Sequence, residues 1–572
     1  MKFIIKKILI LIFVLFIFLP GLNAQAKDSK AHYTRDNISN YFSGIILSGK
    51  NKDKMAFNHL KKVQSISDKH FQFNVEFLRT LVLLEKFGEA FKFSKNIWSE
   101  KELFFEADLL LGLDYFLKKD FLKAEKHFHR LNKISQYNLY FDNFIGNVLI
   151  SWIKAAEGKK EESYKILKKI PDPYNRLQAI QEIFLQCYFD ERGTKKSFEN
   201  LIDSEEYNFS RYNFFLVNYL LSKNLNHEAK KIVDQSIEKY ESNLLLKQTE
   251  NFFLKNQTKK IKNFFNCKNP TDSISEFFYL IANLYSSEKE YQLSNFYLKI
   301  SIFLNKNFFP NNALLAENYY YQDRQEDSKK VYNSLKSIGE VYSWYASKNI
   351  STILLDEKGK EFAIKNLEKD FKLLKKREVE HYYELANFYK ENEYYQKSIE
   401  YYSLTIQKIK KSDSLYSKIL DRRGTSFERL GNWEKAEKDL MESLKILPDQ
   451  PHVLNYLAYS WVDKGINLDK SLEMLKKATD LKKNDGYIID SLGWAYYNKK
   501  NYTEAEFFLQ KAVELLPQDP IINDHYADTL WMLNKNIQAR YFWDYILKLE
   551  DANQNLKEKI KKKIIFGITE QL

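Results

Sequence analysis

Residues 489–517 read IDSLGWAYYNKKNYTEAEFFLQKAVELLP. Two small residues in this stretch, Gly493 and Ala505, lie twelve positions apart on either side of a polar Lys500-Asn501 turn. Apolar residues recur around each of them at the spacing of one helix face. We therefore predict two antiparallel helices whose backbones approach closely where the small residues lie, because bulky side chains there would push the helices apart.

This couple of small residues recurs through the C-terminal half of the chain. The first members advance by 34, 35, 35, 38, 34, 35 and 34 residues. The eight couples are Ala282/Ser294, Ala316/Ser328, Ser351/Ala363, Ala386/Ser398, Gly424/Ala436, Ala458/Ser471, Gly493/Ala505 and Ala527/Ala539. So regular a period predicts eight stacked helix pairs over residues 272–550, each contacting its neighbours in the chain.

The motif around Gly493 resembles the tetratricopeptide repeat (TPR), a helical repeat of 34 residues. The matching positions are Ile489, Leu492, Gly493, Tyr496, Ala505, Leu509, Ala512 and Pro517. The resemblance implies an all-α fold, a right-handed superhelical solenoid of antiparallel helix pairs. Composition agrees, because 16 Gly and 9 Pro in 572 residues leave few places for helices to break.

The N-terminal half carries a weaker copy of the pattern, and we interpret residues 27–240 as divergent TPR-like repeats. Its couples are Gly44/Ala56, Leu78/Ala90, Gly112/Ala124, Ser151/Ser163, Leu185/Ser197 and Val217/Ala229. Three of them place Leu or Val where a small residue is expected. Because the pattern fails over 241–271, we predict a degenerate hairpin and boundary there.

The end of the repeat array is predicted at residues 551–572, as a capping helix and tail. Leu556, Ile560, Ile564 and Ile565 follow helical spacing. A last repeat must not leave its apolar face in water, which is the role of such a helix.

The first 26 residues have the order of a signal peptide. Basic Lys2, Lys6 and Lys7 precede an apolar run from Ile8 to Leu19, and Ala24-Gln25-Ala26 follows as a cleavage site. The run is shorter than the about 20 residues that span a bilayer. We expect export by a cleaved signal, with an uncleaved membrane anchor as the alternative.

The two cysteines, Cys187 and Cys267, lie 80 residues apart, about two repeats along a regular solenoid. Packed helices lie roughly 8–10 Å apart, whereas the Cα atoms of a disulfide lie within about 7 Å. We therefore expect two unpaired, buried thiols.

The sequence offers no recognisable catalytic, cofactor or metal site. It has no phosphate-binding glycine loop, no HExxH and no CxxC, and His127 and His129 point to different helix faces. We predict a protein that is not an enzyme and needs no cofactor.

The net charge of +13 is spread along the chain, which argues against nucleic-acid binding. The one concentrated basic run is Lys557, Lys559, Lys561, Lys562 and Lys563. It predicts at most a peripheral membrane association through the C-terminal helix.

The TPR resemblance also indicates which side chains line the inner face. In the last three repeats they form what we call the aromatic–acidic strip: Asn455, Tyr459, Asp490, Trp494, Tyr497, Asp524, Asp528 and Trp531. Aromatic residues recur as binding hot spots, although some of these could instead pack between helices. Acidic residues here would repel the C-terminal carboxylate that some TPR proteins clamp, so we predict a partner segment with basic or polar side chains.

The stretches Asp485–Tyr496 and Asp519–His525 resemble large exported TPR proteins of Gram-negative bacteria, particularly alphaproteobacteria. The resemblance covers roughly residues 275–565. It implies a non-catalytic scaffold or adaptor in the periplasm or cell envelope, capturing a protein segment in its groove. The alternative is a membrane-associated component of an envelope assembly or secretion complex, held by an uncleaved N-terminal helix.

Overall fold

The computed structural model describes residues 33–135, 143–203, 209–240 and 243–568. These residues form thirty-one α-helices and contain no β-strand, which confirms the predicted all-α fold. The predicted signal peptide lies outside the described residues. The chain divides into two compact units, Met1–Ala346 and Ser347–Leu572.

The first unit is built from nine helix pairs. They are α1 (Arg35–Gly49) and α2 (Asp53–Leu60), α3 (Phe71–Leu83) and α4 (Phe87–Ile97), α5 (Phe105–Leu117) and α6 (Phe121–Ser135), α7 (Phe144–Ala156) and α8 (Lys160–Leu167), α9 (Asn175–Phe189) and α10 (Thr194–Ile202), α11 (Tyr212–Ser222) and α12 (Asn226–Lys239), α13 (Leu244–Leu254) and α14 (Thr258–Phe264), α15 (Pro270–Ser287) and α16 (Tyr291–Leu304), and α17 (Asn311–Tyr321) and α18 (Gln325–Leu335).

The second unit continues the pairing and ends in a single helix. Its helices are α19 (Glu340–Lys358, which begins in the first unit) and α20 (Lys360–Leu373), α21 (Val379–Glu391) and α22 (Tyr395–Ile406), α23 (Ser414–Arg429) and α24 (Trp433–Ile446), α25 (Pro451–Asp463) and α26 (Leu468–Leu481), α27 (Gly486–Asn498) and α28 (Tyr502–Leu515), α29 (Pro520–Met532) and α30 (Asn536–Lys548), and last α31 (Gln554–Phe566).

The predicted small-residue couples lie where the two helices of each pair meet. All sixteen members of the C-terminal couples are buried. A Cβ atom on Gly493 would lie 2.6 Å from Leu509 Cγ and 3.1 Å from the Leu509 amide nitrogen. The close approach of α27 and α28 therefore depends on glycine at this position.

Glycine, asparagine and proline shape the turns and the helix starts of the second unit. Gly431 and Gly465 adopt positive φ angles of 75° and 66°, which glycine reaches without steric strain. The side chain of Asn432 accepts a hydrogen bond from the Lys435 amide at the start of α24. Pro451 and Pro520 lie in the first turns of α25 and α29, where a missing N–H leaves no broken bond.

The first unit closes on itself, because its first two helix pairs contact α16 and α17–α18. Glu85 forms an ion pair with Lys299 at 2.6 Å, and the Phe87 ring stacks on that of Phe303 at 3.9 Å. Further contacts are the Asp53–Arg324 ion pair at 2.7 Å and the Asn51–Gln322 hydrogen bond at 3.1 Å. These contacts join residues more than 200 positions apart.

Helix α15 occupies part of the inner face of the first unit. Phe277 on α15 packs edge-on against Phe144 of α7 at 5.3 Å. Beside it, Glu276 accepts two hydrogen bonds from Arg211, each of 2.8 Å. Burial raises the pKa of Glu276, and Arg211 opposes that rise. The first helices of these repeats therefore pack against the unit's own chain.

The stretch that we predicted to be a boundary, 241–271, contains α13 and α14 and lies within the first unit. The side chain of Asn218 donates to the carbonyls of Ile261 and Phe265 at 2.8 and 2.9 Å. Gln248 on α13 accepts from the Val341 amide at 3.1 Å. Hydrogen bonds hold this hairpin from both sides, and the two compact units of the chain divide at Ala346/Ser347.

The expectation of two free thiols is wrong, because Cys187 and Cys267 form a disulfide with a Cα–Cα distance of 5.9 Å. The expectation assumed full-length helices, but α14 has only seven residues. The chain after it returns along α11 to the end of α9. There Phe265 packs on Phe184 at 5.3 Å, and Lys268 donates to the Tyr188 carbonyl at 2.7 Å.

Among the described helices, none combines the length and the apolar content that crossing a bilayer requires.

We expect Gly112→Ala to destabilise the first unit, because the added methyl group would overlap the Phe128 ring across the α5–α6 contact. Overpacking of this kind costs about 1–3 kcal/mol. Thermal unfolding followed by circular dichroism measures the effect. Gly88→Ala is the matched control, since nothing lies within 4 Å of its added methyl group. Equal unfolding midpoints for both variants would contradict close packing at Gly112.

Candidate partner-binding face of the second unit

The aromatic–acidic strip lies on α25, α27 and α29, the first helices of three successive pairs. Successive first helices contact each other, α25 with α27 and α27 with α29. This contact places them on the inner side of the curve that the stacked pairs make. The structure thus brings all eight residues of the strip onto one face, but it gives them different surroundings.

Trp494 occupies the middle of a stack of three rings. Its indole lies parallel to the Tyr497 ring at 4.5 Å and to the His525 imidazole at 3.9 Å. Because His525 belongs to α29, this stack joins two neighbouring repeats. Both faces of the indole are therefore used for packing within the chain, and Trp494 and Tyr497 remain half-buried.

Asp490 is paired inside the chain. His525 Nδ1 lies 3.0 and 3.1 Å from its two carboxylate oxygens, and both residues are buried. Burial alone would lower the pKa of His525, but Asp490, Asp524 and Asp528 together raise it above its usual value. Asp490 therefore interacts with a histidine that favours the charged form.

Asp524 and Asp528 bind the chain's own C-terminal helix. Lys563 Nζ on α31 lies 2.7 Å from Asp524 and 2.7–2.8 Å from both oxygens of Asp528. The Trp543 indole N–H also donates to Asp528, at 3.2 Å. Burial, with repulsion from Asp524, raises the pKa of Asp528 to about 7, and Lys563 opposes this rise.

Trp531 is covered by the same C-terminal segment. Its ring lies 5.5 Å from that of Trp543 and 4.9 Å below the Arg540 guanidinium. The backbone of Gly567 lies against the indole so closely that a Cβ atom there would overlap it. The last third of the strip is thus filled by α31 and the residues after it.

The part of the strip that remains open is formed by Asn455, Tyr459, Trp494 and Tyr497, all half-buried. Burial, reinforced by nearby Asp490, raises the pKa of Tyr459 to about 12, so its hydroxyl stays protonated. It can donate or accept a hydrogen bond. The side-chain oxygen of Asn455 is buried and has no hydrogen-bond partner among the described residues.

A series of polar pairs, each of which joins two successive repeats, was not predicted from the sequence. Arg422 donates to Asn387, His525 pairs with Asp490, and Lys563 pairs with Asp528, each over 35 residues. The separation of 35 residues is the length of one repeat. A basic residue that follows a polar residue of a first helix by one repeat is therefore the sequence signal for such a pair.

The first unit keeps one sizeable cavity, of about 1160 Å³, between α3, α5, α7 and the α15–α16 pair. Its lining is mostly apolar, and its buried carboxylate Glu106 is paired with Arg79 at 2.6 Å. His127 and His129 have separate partners, Asp108 and Glu125. No cluster of metal-ligating side chains occurs among the described residues.

A sequence model of the tetratricopeptide repeat family matches residues 488–519, the α27–α28 hairpin whose contact at Gly493 is described above. The chain contains a tetratricopeptide repeat. Over 103 residues this TPR protein is 29% identical to the TPR repeat-containing protein PA4667 of Pseudomonas aeruginosa. The match covers 18% of each chain, so it spans less than a fifth of that relative.

Solved structures similar to the TPR protein include yeast Tom70, with a TM-score of 0.34 and 14% identity over 79% of this chain and 93% of that one. A tetratricopeptide repeat protein from Parabacteroides merdae has a TM-score of 0.32 and 18% identity, over 38% and 86% of the two chains. The resemblance to exported alphaproteobacterial proteins stays a prediction.

We expect the second unit to become less stable as the pH rises from about 6 to about 8. The folded-state pKa values of Asp528 and His525 are raised, to about 7 for Asp528. The folded state therefore binds more protons than the unfolded state in this range. The free energy of unfolding should fall by at most about 1.4 kcal/mol per pH unit and group.

Thermal unfolding of the wild type, Asp528→Asn and His525→Gln across this pH range measures the effect, and each substitution should reduce the pH dependence. His452→Gln, at an exposed histidine of the same unit, is the control and should leave it unchanged. Stability that rises with pH in the wild type would contradict the assigned directions.

Proposed function

We infer that the TPR protein is a non-catalytic scaffold or adaptor that holds a segment of a protein partner against the open part of the aromatic–acidic strip. The observation that carries this proposal is the contrast between the units. On the inner face of the first unit α15 packs against Phe144 and Arg211, whereas half-buried aromatic side chains on α25 and α27 remain accessible. TPR folds generally serve protein interaction, and aromatic side chains of this kind recur as hot spots.

We expect the partner segment to carry polar side chains and groups that stack on aromatic rings. It does not need to be strongly basic. The three carboxylates of the strip are engaged by His525 and Lys563 within the chain. Two features remain for a partner: the half-buried rings of Tyr459 and Tyr497 with the edge of Trp494 between Tyr497 and His525, and the hydroxyl of Tyr459. An extended segment that stacks on the rings fits this set.

A location in the periplasm or cell envelope is supported by two independent features. Residues 1–26 have the order of a cleaved signal peptide. Cys187 and Cys267 form a disulfide, a bond that persists in oxidising compartments and is rare in the cytosol. The membrane-held alternative requires the N-terminal apolar run to stay attached.

Replacing Tyr459 and Tyr497 together by Ala should reduce partner capture by at least about tenfold, since hot-spot residues contribute about 2 kcal/mol or more. Capture is measured by crosslinking and pull-down of the tagged chain from the envelope of its own cell. The matched control replaces Tyr487 and Phe507, which are 58% and 65% exposed outside the strip. The proposal fails if both double variants retain the same partners while their helical circular dichroism is unchanged.

Export predicts a mature protein that begins at Lys27 and contains no free thiol. Mass spectrometry of the protein from a periplasmic fraction, denatured and alkylated without reductant, reads both properties at once. Unmodified Cys187 and Cys267 would become reactive only after reduction. A chain that retains Met1 and pellets with membranes would support the uncleaved anchor instead.

A further inference from the structure

The C-terminal helix α31 has a fixed orientation. Ile560 is fully buried against the last repeat, and Lys563 reaches Asp524 and Asp528. Both residues face inward, so the rotation of α31 about its axis is set by one apolar contact and one buried ion pair. The opposite side of the helix must then face away from the repeats.

The outward side of α31 is basic. Lys561 and Lys562 are exposed on it and Lys559 is exposed at its edge, and no ion pair involves these three lysines among the described residues. Glu558 is the one acidic residue on the helix. Glu558 is exposed on the same side, three and four residues before Lys561 and Lys562, and the lysines outnumber it, so the side keeps a net positive charge.

Large apolar side chains lie exposed at the C-terminal end of the same helix. Ile565 and Phe566 are each 67% exposed. On the neighbouring helix α30, Ile537 and Tyr541 are 84% and 68% exposed. Arg540, next to Tyr541, donates to the Ile564 carbonyl at 3.0 Å, which brings this row beside the end of α31. Four large side chains thus form an exposed apolar group next to the lysines.

The combination of exposed lysines and exposed apolar side chains suits the surface of a lipid bilayer. Lysines next to an anionic bilayer each contribute about 1 kcal/mol of attraction, and apolar side chains at a helix surface enter the boundary between headgroups and acyl chains. A nucleic acid would use the lysines but offers nothing for Ile565, Phe566 and Ile537. An anionic bilayer satisfies both halves of the surface.

We propose that the end of the second unit formed by the outward side of α31 and the exposed row of α30 docks on an anionic membrane surface. Lys559, Lys561 and Lys562 contact the lipid headgroups, and Ile565, Phe566, Ile537 and Tyr541 enter the interface. Lys563 takes no part in this contact, because it fixes the helix from inside. The TPR protein would then sit on a membrane without spanning it.

Vesicle flotation of the full chain tests this proposal, with phosphatidylcholine alone compared with equal parts of phosphatidylcholine and phosphatidylglycerol. The anionic vesicles should bind the chain at least about tenfold more strongly, and salt should weaken the binding. Replacing Lys561 and Lys562 by Gln should weaken it by about fivefold per lysine. Phe566→Ser should weaken it by roughly tenfold.

Two matched controls lie elsewhere in the same unit. Lys410 and Lys411 form another adjacent exposed lysine pair, and Phe507 is 65% exposed, close to the 67% of Phe566. Gln substitutions at the first and Ser at the second should leave vesicle binding unchanged. Any binding through the N-terminal apolar run is equal in all variants and does not require anionic lipid.

The proposal is overturned if the α31 variants bind anionic vesicles as the wild type does, or if the controls lose binding equally. It is also overturned if Phe566→Ser has no effect and duplex DNA displaces the vesicles, because the lysines would then belong to a polyanion site. Circular dichroism must show unchanged helix content in each variant.

Discussion

The structure depends on the close contact between the two helices of each pair, made where one small residue faces the partner helix. Gly493 and Leu509 show how little room this contact leaves, since a methyl group on the glycine would overlap Leu509. Because the eight C-terminal pairs repeat the contact, they stack at a nearly constant period. The inner face, the turns and the final helix all follow from that stacking.

The same repeat is used in two ways along the chain. In the first unit α15 occupies part of the inner face, and buried pairs such as Arg211–Glu276 hold it there. In the second unit α31 fills only the last part of the inner face, through Lys563 and Gly567. In the proposed function, the half-buried aromatic side chains on α25 and α27 contact the partner. A TPR protein can thus combine a structural unit with a recognition unit.

Much of the fold could be predicted from the sequence because the repeat is a local pattern. The couple Gly424/Ala436, for example, identifies α23, α24 and the contact between them. The environment of the strip could not be predicted in the same way. Asp490 looked available for a basic ligand, but His525, one repeat further on, already pairs with it.

Other features depend on helix lengths and on contacts between residues far apart in the chain. The period of the sequence specifies neither. The shortness of α14 brings Cys267 to Cys187, where regular repeats would have kept them apart. The closure of the first unit joins Glu85 to Lys299, two residues that no local pattern connects. Such contacts depend on the rotation and translation from one repeat to the next, and the packing of the helices sets both.

The central claim is that partners contact the inner face of the second unit and not that of the first. Photo-crosslinking in the native cell tests it most directly, with a photoreactive residue placed in turn at Tyr459, at Phe507 and at Tyr279 of the first unit's inner face. The account predicts partner adducts from Tyr459 and none above background from the other two. Adducts from Tyr279 or Phe507 in equal or greater yield would contradict it.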